Sequence, residues 1–122
     1  MACPWFNPVR EVDFVARPRP ARAPLGTVFE GTCEARPDAP FRPSDDLLYG
    51  ECNFGYGRHS CPAFPADSEA DAVRFTAAGD RRVWILERDY APVRHGSFDA
   101  PFPSPLLERQ AAAFTRECLS KK

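Results

Sequence analysis

Cysteine is the residue whose number and placement could carry chemistry here: five stand at positions 3, 33, 52, 61 and 118 of a 122-residue chain. Four of them share the first half, with the spacing Cys3-x29-Cys33-x18-Cys52-x8-Cys61. Four thiolates satisfy one tetrahedral Zn²⁺ or one [4Fe–4S] cluster. No C-x2-C knuckle occurs among them, so the number of thiols, not a short signature, carries the reading. Aromatic residues gather beside the thiols: Trp5, Phe6, Phe29, Phe54, Tyr56 and Phe64. An apolar shell of this kind excludes water from a cluster and tunes its potential. The expectation is that Cys3, Cys33, Cys52 and Cys61 hold one [4Fe–4S] cluster, for electron transfer with a protein redox partner or as a structural or redox centre. Zinc in an interaction module is the alternative, and reduced structural thiols in a metal-free domain the second.

The segment from Glu51 to Pro62 (ECNFGYGRHSCP) is the most specialised in the chain. Gly55 and Gly57 flank Tyr56, which lets the backbone turn through positive φ and approach a ligand closely. Cys3-Pro4 and Cys61-Pro62 each place proline after cysteine. At the level of that dipeptide alone, this resembles the last cysteine of the bacterial ferredoxin run. His59 precedes Cys61 by two residues and is a candidate replacement ligand, since Cys3His is a normal zinc set. His95, followed by Gly96, reads as a turn residue. Cys118 separates from the other thiols, because it falls on a helical apolar stripe where a free cysteine behaves as a small hydrophobe.

No other chemistry is written in the chain. There is no G-x-G-x-x-G, G-x-x-x-x-G-K-[ST] or H-E-x-x-H motif. Asp45-Asp46 and Glu87-Arg88-Asp89 read as a solvated helix start and a strand-end ion pair. A formal net charge of −1 argues against nucleic acid, whose phosphates need an excess of Lys and Arg. No apolar run reaches the length of a membrane span. The start of the chain lacks the basic-then-apolar pattern of a secretion signal, so a reducing cytoplasm is expected. Stable disulfides are uncommon there, and thiols more often bind metal or react. Arg10, Arg17, Arg19 and Arg22, with Pro18 and Pro20 between them, read as a solvated extended wrap.

The elements that must position the thiols follow from proline. Ten of the fourteen prolines lie in the first 65 residues and none between 66 and 91. Proline fixes φ and lacks an amide donor, so residues 1–65 are expected to be loops, turns and short extended pieces. From Asp71 the pattern changes. Val73, Phe75 and Ala77 alternate with Arg74 and Thr76, the signature of a half-buried strand. Ala78-Gly79-Asp80 offers a turn, and the segment 82–87 (RVWILE) a second strand. Strands within 22–33 and 93–98 are weaker expectations, at least one of which must support the hairpin. Ser44 or Asp45 caps a short helical turn to Tyr49. Ser104 and Pro105 start a helix over 104–119, with Leu107, Ala111, Phe114 and Cys118 on one face. The expected fold is a small α+β single domain, residues 1–122. Its loop-rich Pro/Cys half surrounds a short antiparallel sheet (71–98), and an amphipathic C-terminal helix packs on it.

Overall fold

The computed structural model describes residues 2–11, 24–25, 27–36, 38–56, 58 and 60–120. The fold is α+β, with two antiparallel sheets and a C-terminal helix. The larger sheet has strands β3 (Ala72–Ala78), β4 (Arg81–Arg88) and β5 (Ala91–Ser97), in that order. The alternation expected for β3 is realised, with Val73 and Phe75 buried and Arg74 and Thr76 exposed. Ala78 pairs with Arg81, so Gly79 and Asp80 form a two-residue hairpin loop. Gly79 takes φ 65°, the position where such a loop favours glycine.

The next hairpin has no glycine in its loop. Arg88 pairs with Ala91, leaving Asp89 and Tyr90 as the loop, at φ 52° and 66°. Two successive positive φ values define a type I′ turn, whose twist matches that of the strands. A left-handed tyrosine is disfavoured by its Cβ. It is held here by stacking on Tyr56, with ring centroids 4.1 Å apart, and by the Asp89 amide donating to Asp71 Oδ2 at 2.9 Å. The expected 71–88 hairpin and the expected strand in 93–98 thus form one three-stranded meander, the second turn fixed by contacts distant in sequence.

The smaller sheet joins β1 (Phe6–Glu11) to β2 (Phe29–Cys33). The expected strand in 22–33 exists as β2, but it pairs with β1 and not with the hairpin. β1 itself contains Pro8, and the ladder shifts register between Pro8 and Arg10. A bulge is where a strand tolerates a residue without an amide donor. The two strands approach so closely at Gly31 that a Cβ there would clash with the Asn7 carbonyl oxygen.

Between the sheets, α1 (Asp45–Leu47) runs into a π-helical turn, Leu48–Cys52. Ser44 caps it, accepting from the Leu47 amide at 3.3 Å. At the far end, α2 (Pro105–Ser120) starts on Ser104, whose hydroxyl accepts from the Leu107 amide at 3.1 Å. Its buried face is Leu107, Gln110, Ala111 and Ala113, with Phe114 stacked on Phe75 at 5.5 Å. Cys118 lies in α2, but its side chain, like His59, Arg17, Arg19 and Arg22, lies outside the described residues. One buried cluster draws on both sheets and α2, including Phe6, Phe29, Leu48, Val73, Trp84 and Leu107. Among the described residues no helix is long and apolar enough to cross a membrane.

Candidate functional site

The four cysteines of the proline-rich half line one cavity, and each arrives on a different element. Cys3 precedes β1, Cys33 ends β2, Cys52 ends the π turn, and Cys61 lies in the loop before β3. The rest of the wall is apolar: Trp5, Phe6, Phe41, Pro43, Leu47 and Phe64 among others, with Glu51 the one ionisable residue besides the thiols among the described residues. The cavity is small, about 20 Å³, room for little more than a water molecule.

Backbone and side-chain hydrogen bonds hold the wall in place. The chain start adds to the larger sheet, where Ala2 and Val73 exchange both backbone bonds at 2.8 Å. The next amide, that of Cys3, donates to the Cys52 carbonyl at 3.0 Å. Gln110 reaches over from α2, donating through Nε2 to the carbonyls of Cys3 (2.9 Å) and Phe6 (2.6 Å). Asn53, fully buried next to Cys52, mimics a strand. Its Oδ1 accepts from the Phe29 amide at 2.9 Å, and its Nδ2 donates to the carbonyls of Phe29 (3.0 Å) and Leu48 (2.7 Å). Cys33 exchanges backbone bonds with Phe41 at 2.7 and 3.3 Å.

The loop bearing Cys61 is tied down by Arg58. This guanidinium pairs with Asp71, donates to the carbonyls of Ala66 (3.0 Å) and Ser68 (2.6 Å), and lies over the Phe64 ring, 5.1 Å from its centroid. Ser68 in turn accepts from Trp5 Nε1 at 3.0 Å. Burial acts to raise the Asp71 pKa, but the Asp89 amide and the Arg58 guanidinium outweigh it and hold the carboxyl below its usual range. Across the same network the Tyr56 hydroxyl donates to Glu87 Oε1 at 3.1 Å; burial and that carboxylate push it up to about 12.

Burial also governs the thiols. Cys3 keeps some exposed surface as a residue, yet its sulfur is enclosed, which pushes it up to about 12. The thiols of Cys33 and Cys52 are raised for the same first reason, desolvation. Negative charge on neighbouring thiols adds to each shift. At neutral pH the Cys3 thiolate is a fraction on the order of 10⁻⁵, so this thiol is protonated and weakly nucleophilic. All four cysteines are free of disulfides.

These facts correct the expected function. Among the described residues, no three His, Cys, Asp or Glu side chains form a group that could hold a metal ion. Cys3, Cys33, Cys52 and Cys61 line one cavity, but they do not form the metal-holding group that the sequence led us to expect. The rest of the wall they share is mostly apolar. The reading as a cysteine-ligated [4Fe–4S] or zinc protein is therefore not carried forward. No known protein family, curated protein or solved structure matches this chain.

The sequence reading missed Asn53, Gln110 and the Arg58–Asp71 pair. Asn53 had one local signal, its place beside Cys52. Gln110 had none, being a polar residue on a helix among apolar neighbours.

Proposed function

We propose that the cavity is a metal-free thiol redox site, whose cysteines are oxidised in pairs by exchange with a disulfide carried by a protein partner. One observation carries this reading: four reduced thiols from four separate elements line one apolar cavity. A cavity this small favours a bond formed between its own walls over a bound organic ligand, which needs a far larger pocket. Phe41 supplies a contact for a partner, since it lines the cavity and is 42% exposed. Burial sets the tempo. Exchange requires a thiolate, so oxidation is slow at neutral pH and accelerates as pH rises.

The test uses the reduced full chain in oxidised-to-reduced glutathione buffers, read by intact mass under denaturing conditions, with iron and zinc analysis of the same sample. The expected result is stepwise loss of hydrogen pairs without retained glutathione, reversed by dithiothreitol, in protein free of stoichiometric metal. Thiols that stay reduced across the whole series would reject the proposal. So would stoichiometric metal that is lost when Cys3, Cys33, Cys52 and Cys61 become serine.

A further inference from the structure

Four cysteines allow three pairings, and their placement distinguishes one of them. We propose that oxidation joins Cys3 to Cys52 and Cys33 to Cys61, and that the first bond locks the start of the chain onto the π turn. The inference rests on the thiol redox reading above.

The backbones of Cys3 and Cys52 already lie side by side, through the 3.0 Å bond from the Cys3 amide to the Cys52 carbonyl. A disulfide needs Cα atoms within about 7 Å of each other, and a direct backbone hydrogen bond brings two residues into that neighbourhood. Both side chains enter the same cavity. Cys33 is held differently, its backbone paired with Phe6 in the β1–β2 ladder and with Phe41 across an isolated bridge. It is left with Cys61, which belongs to neither ladder.

The chemistry balances with a low-molecular-weight disulfide as oxidant. A cysteine thiolate attacks one sulfur of oxidised glutathione, the S–S bond breaks, and one glutathione leaves as a thiolate that takes up a proton. The paired cysteine, deprotonated in turn, attacks the cysteine sulfur of the mixed disulfide and releases the second glutathione. Each pair loses two electrons and two protons, and one oxidised glutathione becomes two reduced ones.

The lock has a specific consequence. Ala2 is the residue before Cys3, and it both donates to and accepts from Val73 on β3. A Cys3–Cys52 bond ties that added strand segment to the π turn. Oxidation should therefore protect the Val73 amide, which donates to the Ala2 carbonyl, while leaving the β4–β5 amides unchanged.

Disulfide mapping of the oxidised full chain decides the pairing. Arg36 and Arg42 precede proline and resist trypsin, so cleavage after both arginine and glutamate is needed to place the four cysteines on separate peptides. The expected products are the peptide of Cys3 linked to that of Cys52, and Cys33 linked to Cys61. Hydrogen exchange at Val73 should slow by roughly tenfold or more on oxidation. Either other pairing would overturn this inference and leave the redox reading standing. Absence of any intramolecular bond would overturn both. Cys61→Ser supplies a second check: it should keep the Cys3–Cys52 link and the protection at Val73, and loss of that link would refute the pairing.

Discussion

The two sheets reach order by different means. In β3–β5 the backbone does most of the work: two tight hairpins make three strands neighbours in both sequence and space. Its ladders run with a single register shift, between Leu86 and Glu87. The β1–β2 half has strands of six and five residues, a bulge within the ladder, and a partner strand far along the chain. What it lacks in ladder it makes up with side chains that bond to backbone: Asn53 to Phe29, Gln110 to Cys3 and Phe6, and Arg58 to Ala66 and Ser68. A proline-rich chain has fewer amide donors and less freedom to form ladders, so buried carbonyls must find their donors on side chains. The thiol cavity lies in the half built this second way.

If this contrast is right, the largest effect of a single substitution comes where the two halves are joined. Asp71 is at the start of the larger sheet and Arg58 secures the thiol-bearing loop, with side chains 3% and 16% exposed. Asp71→Ala strands the guanidinium and should cost about 3–5 kcal/mol, measured by urea unfolding. A loss under 1 kcal/mol would mean the halves are not joined there.

Gly31→Ala strikes the smaller sheet alone. Its Cβ meets the Asn7 carbonyl, a backbone atom that cannot swing away, so we expect a loss of about 1–3 kcal/mol or more. Amide exchange should quicken in β1 and β2 while β4 is unchanged; uniform loosening of both sheets would erase the distinction. Gln110→Leu removes one donor from the carbonyls of Cys3 and Phe6. A cost of about 1–3 kcal/mol is expected, together with faster alkylation of Cys3. A stability loss without that change in reactivity would show that Gln110 does not position the thiol segment.

The effects of pH have opposite signs at the two ends of the scale. A folded thiol held near 12 for Cys3, against an ordinary 9.0, binds a proton that the unfolded chain has released. Stability from this group is therefore complete below about pH 9 and declines as pH rises towards 12. Tyr56, raised from 10.0 to about 12, adds to the decline from pH 10 upward. Asp71 works the other way: its lowered pKa gives stability present above the unfolded value of 3.8 and lost as pH falls below it through the folded value. Thermal unfolding should show both shoulders. Cys3→Ser should flatten the alkaline one, and an unchanged alkaline slope would mean the thiol is not enclosed.

Much of the fold was legible in advance, and the reason is locality. Val73 and Phe75 alternate with polar residues, Gly79 allows its turn, and Ser104-Pro105 starts a helix with signals a few residues apart. The β4–β5 turn was not legible, because Asp89 and Tyr90 take left-handed φ only with Asp71 and Tyr56 as partners. β1 was obscured by Pro8, which a bulge accommodates and a sequence pattern argues against. For the site, composition pointed to four thiols acting together. It carried no information on how their sulfurs are directed, which is why a ligand set was expected where a cavity wall is found.

By itself, then, the sequence determined where β3, β4 and α2 lie, through periodicity and caps that act within one or two turns. It also determined that the first 65 residues would be short of backbone ladders, since proline acts on its own peptide bond wherever it lies. The tertiary structure alone decided that β2 pairs with β1 and that Cys3 lies against Cys52. It alone decided that Asn53, Gln110 and Arg58 supply the donors missing from that half. Those contacts join residues tens of positions apart, and their energies depend on burial, which only the packed chain creates.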